Sequence, residues 1–237
     1  MTGRHNFLAQ ESAWETSSAS ALGAYLGGQR GDAKKFWMNA SLAAEVFDQN
    51  DPRNATHQNN IGIVEFLSRD FDAAYLAFGH SVELWVQSNA WIEGMSISGA
   101  KSSLHHMRLE QRHRYAFDGA KRERFAHLSQ GACAIAQFNL GITARYLGRT
   151  DEADRLVETA AKLREKMCGF DDSELAKMKS LLASIDKDST RRAVNRPEHR
   201  FDNLAKWRFE QKGGIGDERR FLSAVYLTAL MDQSVTP

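Results

Sequence analysis

The chain has 237 residues, of which 42% are hydrophobic and 26% are charged, and 31 Lys and Arg oppose 30 Asp and Glu. These values are typical of a folded globular protein and exclude wholesale disorder, and the balanced charge excludes a global attraction to nucleic acid or anionic membranes. Proline breaks helix interiors, and no proline lies between Pro52 and Pro197, so that span permits long helices.

The N-terminal residues and the cysteines favour a cytoplasmic protein. No apolar signal-peptide core follows Met1, and the longest apolar stretches are far below the ~18 residues that suggest a membrane span. Cys133 and Cys168 are too few for a disulfide framework, so we expect buried, reduced thiols.

In chain order, a first helical unit is predicted to begin at Leu22 and Gly23. A turn is expected at residues 27–32, because glycine and polar residues cluster there, and a second helix is expected to run through Phe47. Asp51 and Pro52 end this unit.

Two further stretches each read as a helix, a short polar break and a second helix. In the first, the break is at residues 68–70, and in the second it is at residues 148–151. Apolar residues recur at three- and four-residue spacings on both sides of each break, which is the pattern of amphipathic helices. No alternating strand pattern of useful length occurs, so the sequence predicts an all-α protein. The apolar residues are Ile61, Val64, Phe66, Leu67, Phe71, Ala74, Phe78 and Val82 in the first stretch, and Ile135, Phe138, Leu140, Ile142, Ala153, Leu156, Val157 and Ala160 in the second.

The two stretches carry small residues at matching places. Helices approach closely only where Gly, Ala or Ser removes side-chain bulk, and a larger residue then fills the space toward a neighbour. The aligned residues are Gly62, Ala74, Phe78 and Ser81 in one stretch and Gly141, Ala153, Val157 and Ala160 in the other.

This spacing resembles the tetratricopeptide repeat, whose first helix carries a Leu-Gly pair and whose second carries Ala, Phe and Ala. The segment 163–172 is similar to the segment between kinesin-light-chain-type repeats, whose longer period of about 42 residues reaches Leu182 and Ala183. Asn59 and Asn60 also resemble the paired asparagines of that subclass. The resemblance covers roughly residues 15–188, most strongly 55–84 and 134–183.

The resemblance implies a right-handed solenoid of helical hairpins over residues 1–188. Residues 90–127 have the length of another helical pair, with a weaker pattern. Residues 189–237 contain loops, a short helix near 202–211 and an amphipathic helix at 218–231, and we expect them to cap the solenoid, because its last unit would otherwise expose an apolar face.

A solenoid of this kind implies a non-catalytic scaffold or adaptor that binds a protein or peptide in its concave groove. The residues expected to contact the partner are Asn59, Asn60, Ile63, Phe66, Phe138, Asn139, Ile142 and Arg145. In the repeats that this chain resembles, asparagines hold a peptide backbone, because an amide offers both a donor and an acceptor. The alternative is that each asparagine satisfies a local loop or helix end.

Other chemistry has weaker support in the sequence. No catalytic residue and no cofactor is predicted, since no hydrolase, phosphate-loop or dinucleotide motif occurs. His106, Glu110 and His113 would share one face of a helix, but nearby arginines would repel a cation, so a solvated face is expected in place of a metal site. Two alternatives to peptide binding stay open: a homo-oligomeric structural protein, or an RNA-binding protein that uses the basic stretch 105–124.

Overall fold

The computed structural model describes residues 2–47, 49–93 and 119–168. Within these ranges the protein is entirely helical and contains no strand, which confirms the predicted all-α class. The helices are α1 (Thr2–Leu26), α2 (Arg30–Ala43), α3 (Pro52–Leu67), α4 (Phe71–Glu93), α5 (Gly119–Tyr146) and α6 (Thr150–Cys168), and a short 3-10 helix (Ala44–Val46) follows α2.

Three pairs of helices are each joined by a tight turn of the same type. The turn residue has a positive φ in every pair: 76° at Gly28, 65° at Arg69 and 77° at Gly148. The following residue donates its backbone N–H five residues back, from Gln29 to Ala24, from Asp70 to Glu65 and from Arg149 to Ala144, at 2.8 to 3.0 Å. This is the Schellman arrangement, which satisfies the carbonyls at a helix end and turns the chain back on itself.

Small residues set the distance between the helices of the second and third pairs. A Cβ added at Gly62 would lie 2.7 Å from the ring of Phe78, and one added at Gly141 would lie 2.8 Å from Val157 Cγ2. The two contacts involve residues with the same separation along the chain, as the sequence alignment predicted. The glycines therefore act as the sites of closest helix approach in both pairs.

The first pair differs from its prediction. The expected start at Leu22 and Gly23 is wrong, because α1 already begins at Thr2 and both residues lie in its last two turns. A Cβ at Gly23 would meet nothing within 4 Å, so this glycine is not a site of close approach. Ala21, which is fully buried, stands where Gly62 and Gly141 stand relative to their turns. The residue of the first pair that corresponds to Gly62 and Gly141 is therefore Ala21, two positions before the predicted Gly23.

Two parts of the core in the described ranges, one large and one small, lie around the sites described below. The large part joins the C-terminal half of α1 to α2, α3, α4, α5 and α6, and it includes Trp37, Phe78 and Phe138. The small part joins Trp14, in the middle of α1, to the end of α2 and the 3-10 helix. Its buried members are Trp14, Ala40, Ala43, Ala44 and Phe47.

Several predicted features lie outside the described residues. They are the segment that resembles the inter-repeat region beyond Cys168, the Leu182-Ala183 pair, and the capping region 189–237. The predicted helical pair at 90–127 is described only at its ends, by the last residues of α4 and the first residues of α5.

Candidate functional site

Seven of the eight residues predicted to contact a partner are buried. Only Arg145 has a partly exposed side chain, at 24% of its full accessible area. The others are at most 3% exposed. They lie on α3 and α5, and they are Asn59, Asn60, Ile63, Phe66, Phe138, Asn139 and Ile142.

The three asparagines form a buried network between α3 and α5. Asn139 Nδ2 donates a hydrogen bond of 3.0 Å to Asn59 Oδ1, and Asn59 Nδ2 approaches Asn60 Oδ1 at 3.5 Å. Asn139 Oδ1 is buried and accepts no hydrogen bond. An amide side chain carries both a donor and an acceptor, so it can accept a hydrogen bond from one amide and donate one to another across a helix interface. The asparagine network therefore joins two helices that are distant in sequence.

This burial changes what the predicted residues can do in the observed conformation. The four apolar residues of the set, Ile63, Phe66, Phe138 and Ile142, belong to the large core. A partner could reach them or the asparagines only if the surrounding helices moved apart. Partner binding by these seven residues stays a prediction, and Arg145 alone offers a direct contact in this conformation.

A partly exposed aromatic cluster lies at the same end of α3 and α5 as Arg145. Phe66, Phe71 and Tyr146 pack together with ring centroids 5.1 to 5.2 Å apart. Phe66 is buried, whereas Phe71 and Tyr146 are half-buried. Burial raises the pKa of the Tyr146 phenol, and the positive charge of Arg69 opposes that rise. Apolar periodicity predicted Phe71 in a helix stripe, but nothing in the sequence indicated that Tyr146 would pack against it.

Arg145 itself is held loosely. Its Nη1 lies 3.5 Å from Asp154 Oδ1, and the Asp154 side chain is 57% exposed. An ion pair of this kind in solvent contributes little to stability, so exchange of Asp154 for a carboxylate of a partner costs little. Arg145 is therefore suited to contact with an acidic group.

A second polar cluster, which sequence reasoning missed, fastens α1 to α3. Arg53 is fully buried, and its guanidinium donates to Glu11 Oε1 at 2.9 Å and to Asp51 Oδ2 at 2.6 Å. Its Cζ lies 3.5 Å from the ring centroid of Phe47 and 5.2 Å from that of Trp14. Asp51 also caps α3 by accepting from the Arg53 backbone N–H at 3.0 Å. The Asp-Pro-Arg sequence signals a helix start, but no local signal points to Glu11 as the second carboxylate.

His57 completes this cluster, which we call the Arg53 cluster (Glu11, Trp14, Asp51, Arg53 and His57). Its Nε2 accepts a hydrogen bond from the indole N–H of Trp14, so the ring proton of the neutral imidazole must be on Nδ1. His57 Nδ1 is buried and has no hydrogen-bond partner. Burial and, to a smaller extent, the charge of Arg53 lower the pKa of His57 to about 3, and the charge of Asp51 opposes part of this change. His57 is therefore neutral near pH 7.

Cys133 lies on α5, as predicted for a buried thiol. It is a free, buried cysteine, and burial raises its pKa to about 12. A thiol with such a pKa forms little of the nucleophilic thiolate near pH 7. This buried position agrees with a packing role for Cys133.

The remaining site predictions fall on other parts of the chain. His106, Glu110 and His113 lie outside the described residues, and the side chains of the basic stretch 105–124 are outside them as well. Over the described ranges, no group of three or more His, Cys, Asp or Glu side chains could hold a metal ion. Within the same ranges, no helix combines the length and the apolar character needed to cross a membrane.

Comparison of the chain with protein-family models, with characterised proteins and with solved structures gave no match in any of the three cases.

Proposed function

We propose that this chain is a non-catalytic scaffold that binds a protein or peptide at the surface of α3 and α5. In this proposal the helix pairs are tetratricopeptide-like repeats of a right-handed solenoid, with residues 189–237 as its cap and the cytoplasm as its compartment. We expect no cofactor, and we do not propose nucleic acid or a membrane as the partner.

The observation that carries the proposal is the recurrence of one helix-pair geometry. The same Schellman turn closes all three pairs, and a buried alanine follows each turn at Ala33, Ala74 and Ala153. This alanine lies five residues after the positive-φ residue, and its N–H donates to the carbonyl of the residue just before the second helix (Gln29, Asp70 or Arg149) at 2.9 Å. Stacked helix pairs of one geometry are typical of repeat proteins, which present successive first helices on one surface.

The exposed part of the α3–α5 surface suits a peptide with an acidic group. Arg145 is partly exposed and weakly paired, and it precedes Tyr146 of the half-buried aromatic cluster. A guanidinium binds a carboxylate through two parallel hydrogen bonds, and an aromatic face accepts an apolar or planar side chain. Because the scaffold is already folded, a bound peptide would bear most of the ordering cost.

Site-directed photo-crosslinking tests the proposal. A photoreactive phenylalanine analogue is placed at position 145 on α5 or, as a matched control, at position 155 on α6, where the native arginine is exposed. We expect a protein crosslink in cell extract at position 145 and none at position 155. Equal crosslinking at both positions, or nucleic acid as the only product at 145, would argue against the α3–α5 surface.

A homo-oligomer is the second candidate, and one observation favours it. Five large apolar side chains are exposed on α2 and α4, and they could pack against a second copy. They are Phe36, Met38, Leu42, Leu76 and Val86, with exposed fractions from 37% to 72%. Light scattering on wild type and on Leu42→Glu/Leu76→Glu tests this candidate. A wild-type dimer that dissociates in the variant supports it, whereas a wild-type monomer excludes it.

A further inference from the structure

Among the described side chains of α1, the segment 9–18 has one buried apolar side chain, whereas the segment 19–25 has three. Trp14 packs into the small core with Ala40, Ala43, Ala44 and Phe47, whereas Ala21, Ala24 and Tyr25 belong to the large core. Local opening begins where few buried apolar contacts hold a segment. Within the described part of α1, the segment 9–18 therefore depends more on its polar contacts with α3 than the segment 19–25 does.

Two of those contacts come from the Arg53 cluster. Glu11 of α1 accepts a hydrogen bond from the guanidinium of Arg53, and Trp14 of α1 donates its indole N–H to His57 of α3. Removing one partner of a buried ion pair is strongly destabilising, because it leaves an uncompensated charge. The two contacts thus hold the segment in place only while each group keeps its present protonation state.

The His57 contact tolerates only the neutral imidazole. A proton on Nε2 would face the indole N–H of Trp14, so the hydrogen bond between them would be lost. The new charge would also lie beside the Arg53 guanidinium in a fully buried site. The charged groups that act on His57 are Arg53 and Asp51, and both carboxylates of the Arg53 cluster, Asp51 and Glu11, are already paired with Arg53. Asp51 favours an imidazolium at His57, but its effect is smaller than that of burial and of Arg53, which both oppose it.

We propose that protonation of His57 releases the segment 9–18 of α1 from α3 when the protein is acidified. In the open state His57 is solvated and binds a proton with its ordinary affinity, whereas in the closed state it does not. Because protons bind the open state in preference to the closed state, a lower pH increases the population of the open state. The proposal does not depend on the function proposed above.

Hydrogen–deuterium exchange at several pH values tests this proposal, with rates corrected for the intrinsic pH dependence of amide exchange. The amides of residues 9–18 should exchange at least tenfold faster than those of residues 71–93 at every pH, because a local opening precedes global unfolding. Their opening should increase about tenfold for each pH unit below 6.5, as expected for one proton taken up on opening.

Two variants assign the effect. His57→Gln can still accept the indole N–H but cannot titrate, so the pH dependence of residues 9–18 should disappear. His80→Gln changes an exposed histidine of α4 and should leave it unchanged. If His57→Gln does not fold, the exchange rates of the wild type still test the proposal. Equal protection of residues 9–18 and 71–93 would overturn it. It would also be overturned by a pH dependence that survives in folded His57→Gln.

Discussion

Single side chains determine how closely the helices of each pair approach. Gly62 and Gly141 leave room for Phe78 and Val157, and a methyl group at either glycine would stand inside van der Waals distance. At the turns, Gly28 and Gly148 adopt a positive φ at no steric cost, whereas Arg69 adopts it with a Cβ present. Gly62 and Gly141 are therefore needed for their small size, whereas Gly28 and Gly148 are needed for their backbone conformation.

Gly62→Ala should lower the free energy of unfolding by about 1–3 kcal/mol, because overpacking against the Phe78 ring outweighs the gain in helix propensity. Urea denaturation followed by circular dichroism measures the change. Gly79→Ala, on α4, is the control, since a Cβ there meets nothing within 4 Å. A Gly62→Ala protein as stable as Gly79→Ala would show that the close approach is not a packing constraint.

Gly148→Ala should also destabilise the protein, by about 1 kcal/mol, for a different reason. A Cβ there has open space around it, but φ is 77° and the cost is conformational. Gly31→Ala, near the start of α2, also has open space and no positive φ, so it should stabilise by about 0.5–1 kcal/mol. Thermal melts of the two variants should therefore shift in opposite directions, and a shift in the same direction would contradict this explanation.

At the scale of the helices, buried polar groups link elements that are distant in sequence. Arg53 ties α3 to α1 through Glu11, and the hydrogen bond from Asn139 to Asn59 ties α5 to α3. Buried polar groups of this kind contribute specificity of packing as much as stability, because each fixes a single pairing. The first helices of the three pairs are thus linked by side chains as well as by the second helices between them.

Arg53→Ala should cost about 3–5 kcal/mol, because it leaves two carboxylates in a buried site without their cation. Arg53→Lys keeps the charge but cannot reach both carboxylates with the planar fork of a guanidinium, so it should recover only part of the loss. Urea denaturation of the three proteins should rank them wild type, Lys, Ala. An alanine variant as stable as the wild type would show that the cluster does not fasten α1.

The sequence predicts the helices better than the site, for a physical reason. Apolar periodicity and the polar breaks are local, so they located the second and third turns and the parts of α3, α4, α5 and α6 next to those turns. Burial of Asn59 and Asn139 depends on how α3 and α5 approach each other, and no residue near either one in the chain encodes that distance. The same holds for Glu11 and Arg53. They are distant in sequence and meet only because the chain turns back after α1 and brings the start of α3 next to it.

At the scale of the whole molecule, the buried His57 links stability to pH. Its pKa is about 3 in the folded protein and 6.5 as its ordinary value, so between these pH values the unfolded chain binds a proton that the folded protein does not. The stability contributed by neutral His57 is therefore complete above pH 6.5 and is lost as the pH falls toward 3.

Global unfolding in urea at pH 7.5 and at pH 5 checks this dependence. The free energy of unfolding should fall by up to about 1.4 kcal/mol per pH unit below 6.5 from this group. The wild type should lose more stability between the two pH values than His57→Gln does. An equal loss in both proteins would assign the pH dependence to other groups.

The claim that the protein is a binding scaffold rests on Arg145 and its neighbours on α5. Once a crosslinked protein partner has been purified, calorimetric titration of wild type, Arg145→Glu and Arg155→Glu with that partner tests this claim most directly. We expect at least a tenfold weaker affinity for Arg145→Glu, since reversal of charge replaces attraction for an acidic group with repulsion, and an unchanged affinity for Arg155→Glu. Equal affinities for all three folded proteins would place the binding surface elsewhere and contradict the account.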